Sequence, residues 1–120
     1  MTRVLKFAAL GIDHRHIFGM SEKMMQLDNE FVGWWTDGAP EPLEGFQKRF
    51  PTIPRVADRA VLLADPTIDL ILICNVPRDR AALAIEAMEA GKDVMVDKPG
   101  CTTLAQLDAI KRTVARTGRI

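Results

Sequence analysis

Neither sign of charge predominates in this chain, because 16 Lys and Arg balance 16 Asp and Glu. Nucleic-acid surfaces normally carry a basic excess, so nucleic acid is not an expected partner. Nowhere do about 18 apolar residues run together, so no segment suits a membrane-crossing helix. The opening stretch, Met1-Thr2-Arg3-Val4-Leu5-Lys6, has no long apolar core ahead of a cleavage site, and a secretory signal is not expected. Cysteine is scarce. Cys74 and Cys101 stand far apart and fit no zinc spacing, which makes a reduced, cytoplasmic setting the default. Low-complexity tracts and internal repeats are lacking too.

What is present suits one domain with a real core: 120 residues, 48% of them hydrophobic. Short apolar runs alternate with helical patterns. Leu5 to Leu10 reads as a strand closed by Gly11. Ile17 to Leu27 places Ile17, Met20, Met24 and Leu27 at helical spacing. Phe31 to Thr36 reads as a second strand, with at least one of Trp34 and Trp35 buried. Pro42 to Phe50 suits a helix, Pro51 to Arg55 a loop, and Val56 a short third strand. Asp58 can cap a helix that runs to about Ala64 and ends at Pro66. Leu70 to Cys74 is apolar on both faces, as a central parallel strand must be. Arg78 to Ala90 reads as a helix ended by Gly91, and Val94 to Val96 as a fifth strand. Thr103 to Thr117 carries a capping box (Thr103, Gln106) and a buried stripe of Leu104, Leu107, Ile110 and Val114, with Gly118 as its stop.

This alternation predicts an α/β fold, a three-layer doubly wound parallel sheet with strand order 3-2-1-4-5. Ligands of such sheets sit beyond the carboxyl ends of the strands. Four separate stretches therefore become candidates: Gly11 to His16, Asp37, Asn75 to Pro77, and Asp97 to Pro99. A dinucleotide turn has the pattern Gly-x-Gly-x-x-Gly, so that backbone can approach the pyrophosphate. Here Gly11-Ile12-Asp13-His14-Arg15-His16 keeps the first glycine, with Asp13 at the second position and His16 at the third. A carboxylate there repels phosphate by about 1 kcal/mol at roughly 4 Å in water, and by more in a less polar cleft. Arg15 or a protonated His16 would offset it. Read alone, the turn is weak evidence, and an ordinary strand-to-helix loop is the lesser alternative. Asp37 ends the second strand, where an acid accepts the ribose hydroxyls and disfavours a 2′-phosphate, pointing to NAD over NADP. Asp37-Gly38 is also a common turn pair. Asn75-Val76-Pro77 offers an amide, with a proline suited to a helix start.

The stretch Glu89-Ala90-Gly91-Lys92-Asp93-Val94, followed by Asp97-Lys98-Pro99 and the helix opening Thr103-Leu104-Ala105-Gln106, resembles the glucose–fructose oxidoreductase / inositol dehydrogenase family (Gfo/Idh/MocA). That family has Glu-Ala-Gly-Lys-His-Val and then Glu-Lys-Pro at these places. The resemblance covers nearly the whole chain and rests most specifically on the Lys-Pro stretch. It implies a Rossmann-type NAD(P)-binding domain. It also implies hydride transfer between a nicotinamide cofactor and a hydroxyl or carbonyl of a sugar, cyclitol or related small molecule. Lys98 is then the catalytic residue assisting proton transfer, and Pro99 is expected to follow a cis bond. Cofactor contacts are expected from Gly11, Ile12, Asp13, His14, His16, Asp37, Asn75, Val76, Pro77, Arg80, Asp97, Lys98 and Pro99. Departures are the shorter Asp97, the altered glycine turn, and Arg80 where relatives carry the histidine of Thr-Pro-Pro-x-x-His. A substrate-binding α/β domain is expected beyond residue 120. Without it an uncovered edge would favour homo-oligomers.

Two other readings compete. Asp13-His14-Arg15-His16 after a strand is also the pattern of a metal-dependent hydrolase, with Asp37 or Asp97 as a further ligand. A non-catalytic binding or assembly module with weakened cofactor binding would equally explain the lost glycines.

Overall fold

The computed structural model describes residues 3–120. Four parallel strands form one sheet: β1 (Lys6–Leu10), β2 (Glu30–Trp35), β3 (Leu70–Ile73) and β4 (Asp93–Val96), in the order β2-β1-β3-β4. Helices α1 (His16–Gln26), α2 (Leu43–Arg49), α3 (Ala60–Leu63), α4 (Arg80–Glu89) and α5 (Leu104–Thr117) fill the connections. A 3-10 turn over Pro77–Asp79 leads into α4.

Alternation along the strands, shifted by one residue at the irregularity over Val32 in β2, divides the core into two halves. Phe7 and Ala9 of β1, Phe31 and Trp34 of β2, and Leu72 of β3 face α1 and α2. There they pack with Ile17, Met24, Phe46 and Phe50. Ala8, Leu10, Ile71 and Ile73 point the other way, onto Leu62 and Leu63 of α3 and Leu83, Ala84 and Ala87 of α4. The first half is aromatic: Phe7 stacks on Phe31 at 4.8 Å, and Trp34 meets Phe46 edge-on at 5.0 Å. Such pairs contribute about 0.5–1.5 kcal/mol each beyond simple burial. The layering is the doubly wound α/β arrangement the alternation predicts.

The third strand differs from expectation. It shrinks to a single parallel bridge between Trp34 and Arg55, at the expected place beside β2. Pro54 cannot donate to a ladder, and Val56 is the last residue there to bond β2, through the Trp34 carbonyl at 2.9 Å. The expected buried stripe on α5 is a second correction. Leu104 is 84% exposed, and Leu107 and Val114 are about two-fifths exposed. The buried residue of α5 is Thr113, and Ile110 is half-buried against α4. The helix therefore turns its flank, not its most apolar stripe, toward α4. Its start is as expected in part. Thr103 Oγ1 accepts from Gln106 N–H at 3.0 Å, but Gln106 Oε1 returns to Thr102 N–H, one residue early. Among the described residues no helix is long and apolar enough to cross a membrane.

Gly11 fixes the distance between the ends of β1 and β3. Its φ is +83°, and an added Cβ would stand 2.9 Å from the Asn75 nitrogen and closer still to the Asn75 Cβ. Gly38 has a similar φ of +60° but open space around it. Gly11→Ala is therefore expected to cost about 3 kcal/mol or more through combined strain and overlap, and Gly38→Ala about 1 kcal/mol. Urea unfolding of the two variants checks this. Equal losses would show that the close approach to Asn75 does not matter.

Candidate functional site

Three strands end at one edge of the sheet. Gly11 follows β1, Asp37 follows β2 and Asn75 follows β3. All three line a cleft of about 330 Å³ together with Asp13, Trp35 and Val76. Parallel strands end on the same side, so chain order alone brings these distant residues together. The backbone of the first turn is largely engaged. Gly11 N–H donates to the Trp35 carbonyl at 2.7 Å, Ile12 N–H to Thr36 Oγ1 at 3.3 Å, and His14 N–H to the Cys74 carbonyl at 3.0 Å. The Ile12 side chain is wholly buried and serves the core, so only its backbone borders the edge.

The end of β4 stands next to this cleft. Lys98 is exposed, and the Lys98–Pro99 bond is cis, as the resemblance implies. Asp97 is only 8% exposed, with nitrogen groups beside both of its carboxylate oxygens. His16 Nδ1 lies 2.9 Å from its Oδ1, which also accepts the Lys98 N–H at 2.9 Å. His14 Nδ1 and the Arg80 guanidinium lie 3.4 and 3.6 Å from Oδ2. Burial pushes the Asp97 carboxyl upward, but the His16 and Lys98 hydrogen bonds and the His16 and Arg80 charges outweigh it and hold the group below its ordinary value. Asp13 goes the other way. Burial is the main cause, the nearby Asp37 and Asp79 add to it, and a backbone hydrogen bond and Arg80 oppose it, so its carboxyl sits above the ordinary range.

Arg80 has a different place from the one the sequence suggests. It is 1% exposed, and its guanidinium points inward. Nε donates to the Asn75 carbonyl at 2.8 Å, and Nη1 to the carbonyls of Asp97, Lys98 and Pro99 at 3.2, 2.9 and 3.3 Å. It thus joins the loops after β3 and β4 instead of reaching into the cleft. Pro77 and Val76 are exposed at the rim.

Sequence reasoning missed the far wall of the cleft. Arg59 and Glu86 line it, paired at 3.0 Å, with the Arg59 guanidinium 5.0 Å over the Trp35 ring. Arg55 comes close to the Asp37 loop, donating to the carbonyls of Thr36 and Gly38 at 3.2 and 2.8 Å. No local motif marks these residues; only the packing of α3 and α4 against the sheet places them. One observation bears directly on a bound dinucleotide. Asn75 Oδ1 is buried and has no hydrogen-bond partner, yet Asn75 lines the cleft. Buried acceptors are normally satisfied, so a ligand amide or hydroxyl donor suits this atom. Asp37 on the same wall suits ribose hydroxyls. The residues present fit the cofactor.

Two outcomes follow from this geometry. Arg80→Met should lower stability by about 3 kcal/mol or more, because Asp97 is left buried beside an uncharged side chain. A loss under about 1 kcal/mol in urea unfolding would show that the inward guanidinium does not hold the two loops together. Cys74 is buried, and burial, aided by the Asp97 charge and opposed by Arg80, pushes its thiol up to about 12. Since the thiolate is the reactive form, a thiol reagent at pH 8 should modify Cys101 in the folded chain and reach Cys74 only on unfolding. Fast labelling of both cysteines in the folded protein would contradict this.

Residues 20–120 match the family model described as "Oxidoreductase family, NAD-binding Rossmann fold". The uncharacterized oxidoreductase YdgJ of Escherichia coli (strain K12) is 43% identical over 70 residues, 56% of this chain and 20% of YdgJ. Galactose 1-dehydrogenase of Pseudomonas fluorescens is 46% identical over 41 residues, 34% of this chain and 14% of that enzyme. A crystal structure of a protein from Erwinia carotovora atroseptica SCRI1043, assigned to the oxidoreductases, superposes with a TM-score of 0.91 at 40% identity. That superposition covers 96% of this chain and 34% of the Erwinia chain. The chain thus spans about a third or less of the length of these relatives. The matches favour the oxidoreductase reading of the strand ends over a hydrolase or a non-catalytic module. The chain belongs to the oxidoreductase family whose members share this NAD-binding Rossmann fold.

Proposed function

We propose that this chain is the dinucleotide-binding part of an oxidoreductase acting on a hydroxyl or carbonyl of a sugar, cyclitol or related small molecule, with NAD preferred to NADP. The observation that carries the reading is the convergence of Gly11, Asn75 and Asp37 on one cleft at the strand ends, with an unpartnered Asn75 oxygen among them; Lys98 follows the neighbouring strand end. The sugar-like substrate draws support from the similarity to galactose 1-dehydrogenase. In this reading a substrate-binding domain would lie in the length of the relatives that this chain does not span.

Asp37 would accept the ribose hydroxyls, and its charge would repel a 2′-phosphate. Arg59 could attract that phosphate, but Glu86 already neutralises it. Gly11 to His16 would border the pyrophosphate, with Asp13 opposing it and His14 and His16 offsetting that repulsion. Because the Asp13 carboxyl lies above its ordinary range, it loses its charge earlier on acidification and the repulsion falls with it. Asn75, Val76 and Pro77 would line the nicotinamide side. When bound, the nicotinamide supplies or accepts a hydride. Lys98 Nζ would take the hydroxyl proton as the substrate carbon is oxidised, or return it on reduction.

Calorimetric titration of the chain with NADH and with NADPH tests this. Micromolar NADH binding is expected, with NADPH weaker by about tenfold, or about 1.4 kcal/mol. Asp37→Ala should remove most of that difference. Equal affinities in the unaltered chain would remove Asp37 as selector. No heat with either cofactor, from protein shown to be folded, would count against the reading as a whole.

A further inference from the structure

We propose that His14, His16 and Asp97 together bind one divalent transition-metal ion of the zinc class. The three come from two distant stretches, the turn after β1 and the end of β4, and one donor atom from each lies within 4.8 Å of the others. The arrangement has a feature that hydrogen bonding leaves unresolved. His14 Nδ1 accepts the His16 backbone N–H at 3.1 Å, so that nitrogen presents a lone pair. It lies 3.4 Å from Asp97 Oδ2, an oxygen that is buried and without a hydrogen-bond partner. Two electron-pair donors facing each other favour a cation between them, beyond the partial neutralisation Arg80 supplies from inside the fold.

An ion fits that gap by its geometry. Zinc bonds of about 2.0–2.2 Å at near-tetrahedral angles hold two donor atoms roughly 3.3–3.5 Å apart. The His14–Asp97 separation is 3.4 Å. The His16 ring lies beside that of His14, with centroids 4.1 Å apart, and provides the third donor as its Nδ1 gives up the proton shared with Asp97 Oδ1 at 2.9 Å. Asp97 Oδ1, accepting from Lys98 N–H at 2.9 Å, holds the carboxylate in place, as outer hydrogen bonds do for metal ligands. Both imidazoles are half-exposed, so an ion has an entry path and keeps a coordination position for water or a ligand oxygen. Imidazole with carboxylate favours zinc, nickel or cobalt over magnesium or calcium, which prefer oxygen-only shells.

The charges nearby permit it. Arg80 approaches Asp97 Oδ2 at 3.6 Å from inside the fold. Its N–H groups are shared among four backbone carbonyls, so it neutralises Asp97 only in part. The carboxylates of Asp13, Asp37 and Asp79 influence one another along the same edge and leave it acidic. The site differs from the hydrolase pattern, since it needs no catalytic water and no reaction.

The test is calorimetry with zinc chloride in a non-chelating buffer, on the tag-free chain and on His14→Gln and His16→Gln. One ion per chain at micromolar affinity is expected, weakened about tenfold or more in each variant. Circular dichroism verifies that the variants keep their fold. Cobalt(II) added to the unaltered chain gives a readout that depends on no variant: intense visible bands of a four-coordinate N/O site are expected. No zinc binding, binding unchanged by both substitutions in folded protein, or only the weak bands of six-coordinate cobalt would each overturn the proposal.

Discussion

The inward guanidinium of Arg80 holds this edge of the molecule together. Parallel strands end side by side, but the loops after them carry carbonyl groups with no ladder partner. One side chain satisfies four of these, from the loops after both β3 and β4, and adds a charge next to the buried Asp97. A guanidinium suits this task because its donors lie in a fixed planar fork and its charge is permanent. Asp97 in turn orients His16 and the Lys98 backbone. The backbone that carries Lys98 thus depends on a residue whose guanidinium points inward.

Most of the fold was legible in the sequence because its signals are local and strong. The two-faced apolar run before Cys74 requires burial on both sides, and Gly91 and Gly118 adopt the positive φ expected of helix stops. The failures share a cause. The α5 stripe was read from helical spacing, which says that an apolar face exists but not which neighbour receives it. Ile110 and Thr113 won that contact, leaving Leu104 outside. The third strand was placed correctly and its length was not, since a single proline stops the ladder.

At the strand ends, chain order alone gathers Gly11, Asp37 and Asn75 into one cleft. It could not find Arg59 or Glu86, which reach the cleft from helices on the far wall. Nor could it separate Arg80 from its neighbours, because an arginine beside a cleft reads the same whether it points in or out. The clustering of His14, His16 and Asp97 is likewise invisible in one dimension: the Asp97 end of β4 follows the histidines by most of the chain's length.

Trp34 and Trp35 are adjacent on one strand and point to opposite faces, so they report on different events. Trp34 is 1% exposed among phenylalanines, while Trp35 lies at the cleft under Arg59. Intrinsic fluorescence from this chain therefore combines two emitters in different surroundings. One emitter stands in the aromatic core, and the other lines the cleft, where a bound ligand would touch its ring. Quenching without a spectral shift would register occupancy, and a red shift would register loss of the core, in the same sample and without a label.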